Sequence, residues 1–115
     1  MNVQIKLIIL SLDYKDNSVF ILSDEEGEAK LPSTTLKEGD LDRQIKRLFK
    51  EYCNLSWGFI SCELTDVKQK KDILEVYYGI IVPNDIIMDK GYKYIVGPAE
   101  GEELRTLVSG VANTL

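Results

Sequence analysis

The chain of 115 residues contains no histidine. That absence removes Ser-His-Asp and Cys-His nucleophilic catalysis, imidazole metal ligation and the commonest general base. Any chemistry must run through carboxylates, lysine, tyrosine or a metal. Cysteine is nearly as scarce. Cys53 and Cys62 are too few for a disulfide framework and stand in no CxxC or Cys/His zinc spacing, which suits a reduced, cytoplasmic protein. Positive charge is in deficit. The net charge of −5 argues against general nucleic-acid binding, which needs clustered Lys and Arg facing phosphates. Long apolar runs are missing too: the N-terminal IIL is cut by Ser11 and Asp13, so it is neither a signal peptide nor a membrane span.

What remains is an ordinary globular composition, 44% hydrophobic and 29% charged, at a length suited to one domain over residues 1–115. The segment VQIKLIILSL alternates at first, then becomes apolar on both faces through Ile8, Leu10 and Leu12, as a strand entering the middle of a covered sheet does. VFILS follows a polar turn as its hairpin partner. GFISCEL and ILEVYYGIIV read as strands separated by the charged loop TDVKQKKD, and KYIVG gives a further strand beyond Pro83-Asn84-Asp85. Lys68, Lys70 and Lys71, flanked by Asp66 and Asp72, read as a solvated hairpin loop.

Between the second and third of these strands the period changes. Leu41, Ile45, Leu48, Phe49 and Tyr52 recur at helical spacing, Asp40 is a good N-cap, and Asn54 suits a helix exit, so the spacing predicts a helix from Asp40 to Cys53. Leu104, Leu107, Val108 and Val111 predict a C-terminal amphipathic helix. A sheet with one helix on each face would bury both stripes, an α/β (α+β) arrangement built as an α/β/α sandwich.

Residues 31 to 55 carry the functional information. Leu31-Pro32 enters a turn, Glu38-Gly39-Asp40 leads into the helix, and Arg47, Phe49, Glu51 and Asn54-Leu55 follow along it. This segment resembles the Nudix box, the loop-helix signature of hydrolases of nucleoside diphosphates linked to another moiety. The resemblance implies a mixed sheet between two helices, a Mg²⁺ or Mn²⁺ cofactor, and helix carboxylates that hold it. The match is degenerate. Ser33 and Thr34 stand where the family has Gly-Gly, Asp40 replaces its Glu, and the spacing from Asp40 to Arg47 is one residue short. Leu48 and Tyr52 occupy two of the three helix carboxylate positions, which leaves Glu51. One carboxylate makes a poor Mg²⁺ site.

The resemblance therefore implies Glu51, Arg47 and Asp40 as the catalytic residues of an active protein, with Glu51 as metal ligand and an Asp40–Arg47 contact as a clamp on the loop. Without activity, Asp40 is an N-cap and Arg47–Glu51 an ordinary surface pair. Glu100, Glu102 and Glu103 are candidates for an additional acid, although at the start of the last helix they also complement its dipole. Tyr52, Trp57 and Tyr77 are candidates for stacking on a base, although aromatics in such numbers usually form core. The expected function is a Nudix-like module that lacks metal-dependent hydrolysis, needs no cofactor, and binds a nucleotide-like small molecule or a protein partner, with homodimerisation compatible. A divergent Mg-dependent hydrolase is the first alternative. An unrelated α/β scaffold acting through a sheet edge or oligomer interface is the second.

Overall fold

The computed structural model describes residues 2–13, 18–23, 26, 31–37, 39–51, 61–83, 91–96, 106 and 108–110. Their elements run β1 (Asn2–Asp13), β2 (Ser18–Ser23), β3 (Ser33–Thr35), α1 (Leu41–Lys50), β4 (Ser61–Lys70), β5 (Ile73–Pro83) and β6 (Gly91–Val96). The sheet order is β4-β5-β1-β2-β6, with β3 also paired to β1. β1 explains this arrangement. It lies parallel to β5 from Asn2 to Leu12, and its other edge is shared antiparallel by β3 at Gln4–Lys6 and by β2 at Leu10–Asp13. A strand hydrogen-bonded on both edges and covered on both faces is apolar on both faces, as this one is from Leu7 to Leu10.

Two cores result. Ile5, Leu7 and Ile9 of β1 join Ile80 and Val82 of β5 beneath Ile45, Leu48 and Phe49 of α1. Ile8 and Leu10 point the other way, with Val19, Ile21, Tyr77, Ile81 and Val108. Thr106 and residues 108–110 are helical, so helical structure packs on both faces of a mixed sheet. Each fully buried side chain of this kind contributes about 1.5–3 kcal/mol of hydrophobic stabilisation. At Gly79 the second layer lies close to the sheet backbone. A Cβ built there would overlap Val108 Cγ1 and lie 2.9 Å from Thr65 Cγ2, so the missing side chain admits Val108.

Two expectations need correction. The charged stretch TDVKQKKD is strand as far as Lys70, and the hairpin turns at Lys71-Asp72, with Lys71 at φ 54°. Cross-strand chemistry overrides polarity here. Lys68 opposes Glu75 in the ladder, and Lys70 Nζ lies 3.0 Å from Glu75 Oε1. β3 was not legible as a strand, because three Ser and Thr residues carry no apolar alternation. The helix described is shorter than Asp40 to Cys53. It spans Leu41–Lys50 with Glu51 at its C-cap, and Leu41 is exposed instead of joining the apolar stripe. Cys53 and Asn54 lie outside the described residues.

Candidate functional site

The site is built from the β3-to-α1 segment. β3 is fixed on β1 at both ends: the Leu7 N–H donates to Pro32 O (2.9 Å), and the Leu36 N–H donates to Val3 O (2.8 Å). The chain then turns through Gly39, whose φ of +127° favours glycine, and enters the helix at Asp40. Asp40 Oδ1 accepts the Asp42 N–H at 3.0 Å and its carbonyl accepts the Gln44 N–H, so Asp40 is the N-cap that the sequence predicts.

The loop is held by a residue that the sequence reading passed over. Gln44 Oε1 accepts the Lys37 N–H (3.1 Å), and Gln44 Nε2 donates to Thr35 O (3.3 Å). One side-chain amide thus bridges the end of β3 and the following turn to the first turn of the helix. The structure does not bring Asp40 to Arg47. Among the described residues, Arg47 is in no ion pair, and the Asp40 carboxylate serves the helix N-terminus. A glutamine four residues after the predicted N-cap gave no distinctive signal, since its partners are backbone groups that only the fold brings near.

Leu48, in a position where the resemblance places a carboxylate, is 4% exposed and packs with Ile45 and Phe49 against the sheet. Glu51 is exposed at the far end of the helix. Asp40 and Glu51 are eleven positions apart, roughly 16 Å along a helix axis, too far for both carboxylates to reach one ion. The donor set therefore does not fit a Mg²⁺ or Mn²⁺ site of the usual kind: Leu48 offers no ligand, and the two remaining acids cannot share a cation. Among the described residues, no three acidic or cysteine side chains cluster as metal ligands. Tyr52, Trp57, Glu100, Glu102 and Glu103 lie outside the described residues. Tyr77 is buried in the second core, on the sheet face away from α1.

Beneath α1 the floor is apolar. Cys62, a free thiol, and Tyr78 pack against the first core, and burial pushes both pKa values up, so neither carries charge at neutral pH. The outer face of α1 is different. Arg43, Arg47 and Lys50 recur at helical spacing and all are exposed, a basic stripe on an acidic chain. Lys46 lies beside this stripe and pairs with Asp42 at 3.0 Å. The signal for this stripe was present in LDRQIKRLFK at spacing i, i+4, i+7.

On the opposite sheet face Glu75 is covered by lysine side chains. Lys6 Nζ is 2.7 Å from Oε2, Lys70 Nζ is 3.0 Å from Oε1, and the Tyr77 hydroxyl donates to Oε1 at 3.3 Å. The Lys6 hydrogen bond, reinforced by Lys70, outweighs desolvation and holds the Glu75 carboxyl down at about 2. Lys68 and Lys6 also approach the Tyr77 ring, 5.2 and 5.9 Å from its centroid.

No protein-family model matches the chain, and no curated protein matches it in sequence. Solved structures do match in fold. A MutT/nudix family protein from Enterococcus faecalis superposes with a TM-score of 0.58 at 12% identity, over 81% of this chain and 42% of that one. The chain thus spans less than half the length of that protein. The NUDIX domain of Shewanella oneidensis NrtR, solved in complex with ADP ribose, superposes with a TM-score of 0.56 at 12% identity, over 98% of this chain and 88% of that domain. The fold is Nudix-like.

Proposed function

We propose that this Nudix-like chain is a ligand-binding or protein-interaction module that does not carry out metal-dependent hydrolysis, with a nucleotide-like small molecule as its ligand. The observation that carries the reading is Leu48. Its side chain is buried among Ile45, Phe49 and the sheet, so the helix face expected to hold a cation is part of the core. The ligand class is supported by the NUDIX domain of similar fold that was solved with ADP ribose. It is also supported by Arg43, Arg47 and Lys50, whose cationic heads line the exposed side of α1 and suit a diphosphate. Cys62, a free thiol, fits a reduced, cytoplasmic setting.

The second reading, a divergent Mg- or Mn-dependent hydrolase, is favoured by one observation: Glu51 keeps its carboxylate in solvent at the end of α1. A single experiment separates the two. The protein is incubated with ADP-ribose, a nucleotide sugar and a deoxynucleoside triphosphate under Mg²⁺ or Mn²⁺, and calorimetry with ADP-ribose is run in parallel. The expected result is binding without turnover, weakened by Arg47→Ala. Turnover that is lost in Glu51→Gln overturns the proposal in favour of hydrolysis.

A further inference from the structure

The outer face of α1 is cationic along its whole length. Arg43, Lys46, Arg47 and Lys50 are all exposed, and Asp42 answers only Lys46, at 3.0 Å. Among the described residues, Arg43, Arg47 and Lys50 are in no ion pair. Four cations against one aspartate give α1 a net charge of +3 on a chain of −5, which leaves −8 for the remainder. Local energetics run against this arrangement. Arg43–Lys46 and Arg47–Lys50 stand at i,i+3, and Arg43–Arg47 and Lys46–Lys50 at i,i+4, so like charges are neighbours all along one side of the helix. The helix dipole accounts for Arg47 and Lys50 only. Both lie in the last turn, where a cation is favoured, but Arg43 is the third residue after the Asp40 cap, where the positive end of the dipole and the capping box both favour an acid. A local rule broken without a compensating contact in the fold marks a functional position.

The row also has a spacing. Arg43 and Arg47 are about 6 Å apart along the helix axis, and Arg47 and Lys50 about 4.5 Å. A second helix repeats these intervals with carboxylates at i, i+4 and i+7, or at i, i+3 and i+7 if it runs antiparallel. An extended strand, whose same-side residues are about 6.6–6.8 Å apart, matches the first interval and misses the second. A long polyanion, whether nucleic acid or membrane, continues past α1 onto the rest of the chain, whose charge of −8 repels it. A short acidic helix ends where α1 does. We propose that the outer face of α1 docks an acidic helical segment of a partner protein, whose carboxylates meet Arg43, Arg47 and Lys50 in charge-assisted hydrogen bonds. This docking rests on the reading of α1 above as a binding face, and it names the partner that a protein-interaction module takes there.

The test is fluorescence anisotropy with the full chain, in EDTA, using two cross-linked helical peptides of the same Ala, Gln and Glu composition. One carries its glutamates at i, i+4, i+7 and i+11, and the other scatters them around the helix. The one-sided peptide is expected to bind about fivefold more tightly or better, with affinity falling as salt rises from about 50 to about 200 mM. Arg43→Gln is expected to weaken it about two- to fivefold, and Arg43→Glu about tenfold or more. Arg43→Glu is also expected to raise the urea midpoint, because it puts an acid in the first turn, four residues before Arg47. Binding and stability thus move in opposite directions. Equal or absent binding of the two peptides overturns the proposal, as does an affinity indifferent to Arg43→Glu. A midpoint that falls in Arg43→Glu overturns it as well, since the fold then needs that arginine. Tighter binding of duplex DNA or of phosphatidylserine vesicles also sinks it, and so does self-association lost in Arg43→Glu, which makes a second copy the occupant. ADP-ribose bound where the peptide is not leaves the ligand reading standing without this one, and turnover lost in Glu51→Gln alongside peptide binding does the reverse.

Discussion

Replacing Leu48 by glutamate separates a buried helix position from a vacant metal-binding one. If the segment were a Nudix box that had merely lost a ligand, Leu48→Glu would restore an acid next to Glu51 and the protein would gain affinity for Mg²⁺. The structure predicts the opposite. Leu48 is 4% exposed and packs in one cluster with Ile5, Leu7, Ile9, Ile45, Phe49, Ile80 and Val82. Truncation to alanine removes the transfer energy of the buried methyl groups and leaves a cavity, a loss of about 2–5 kcal/mol. Glutamate forfeits much the same packing and adds an unpartnered polar group, a further loss of roughly 1–3 kcal/mol. A domain of this length has roughly 6–17 kcal/mol of stability in total, so Leu48→Glu consumes a large part of it. Urea unfolding followed by far-UV circular dichroism, in EDTA and in excess Mg²⁺, measures both quantities. The expected order is wild type, then Leu48→Ala, then Leu48→Glu, with no recovery on adding Mg²⁺. A Leu48→Glu protein within about 1 kcal/mol of wild type, and stabilised further by Mg²⁺, would refute the reasoning.

Two further outcomes follow from particular contacts. Gly79→Ala drives a methyl group into Val108 Cγ1 and close to Thr65 Cγ2, so it is expected to destabilise by about 1–3 kcal/mol; Val108→Ala in the same chain should recover part of that in a double-mutant cycle, and strict additivity would show that the two residues do not touch. Glu75, whose pKa falls from 4.5 to about 2 in the folded chain, contributes stability that is complete above about 4.5 and lost as pH drops towards 2. That fall corresponds to at most roughly 3 kcal/mol, which screening at the solvent-exposed Lys70 head reduces to about 1–2 kcal/mol. Unfolding free energies measured at pH 6 and pH 3, as approximate reference points in this window, should differ less in Glu75→Gln than in wild type, and equal differences would count against the Lys6–Glu75–Lys70 network.

The sequence determined what local rules and periodicity can carry. The doubly apolar run of β1 placed it in the interior of a covered sheet, Asp40 was legible as an N-cap, and Ile45, Leu48 and Phe49 shared one helical face. It also showed where the resemblance to a Nudix box breaks, because substitutions at fixed spacing need no coordinates to be seen. Tertiary structure decided the rest. Whether Leu48 lined a vacant cleft or belonged to the core depended on the distance from α1 to β1 and β5, which no spacing within the helix encodes. The loop clamp fell to Gln44 and not to an Asp40–Arg47 pair, because its partners are the Lys37 amide and the Thr35 carbonyl, brought within reach by the pairing of β3 with β1. Lys68 and Lys70 looked like a solvated loop because charge alone cannot reveal a partner, and Glu75 lies across the hairpin where only strand register sets the two sides together. Side-chain period is local and survives in the sequence, whereas register and layer distance are relations between segments far apart in the chain.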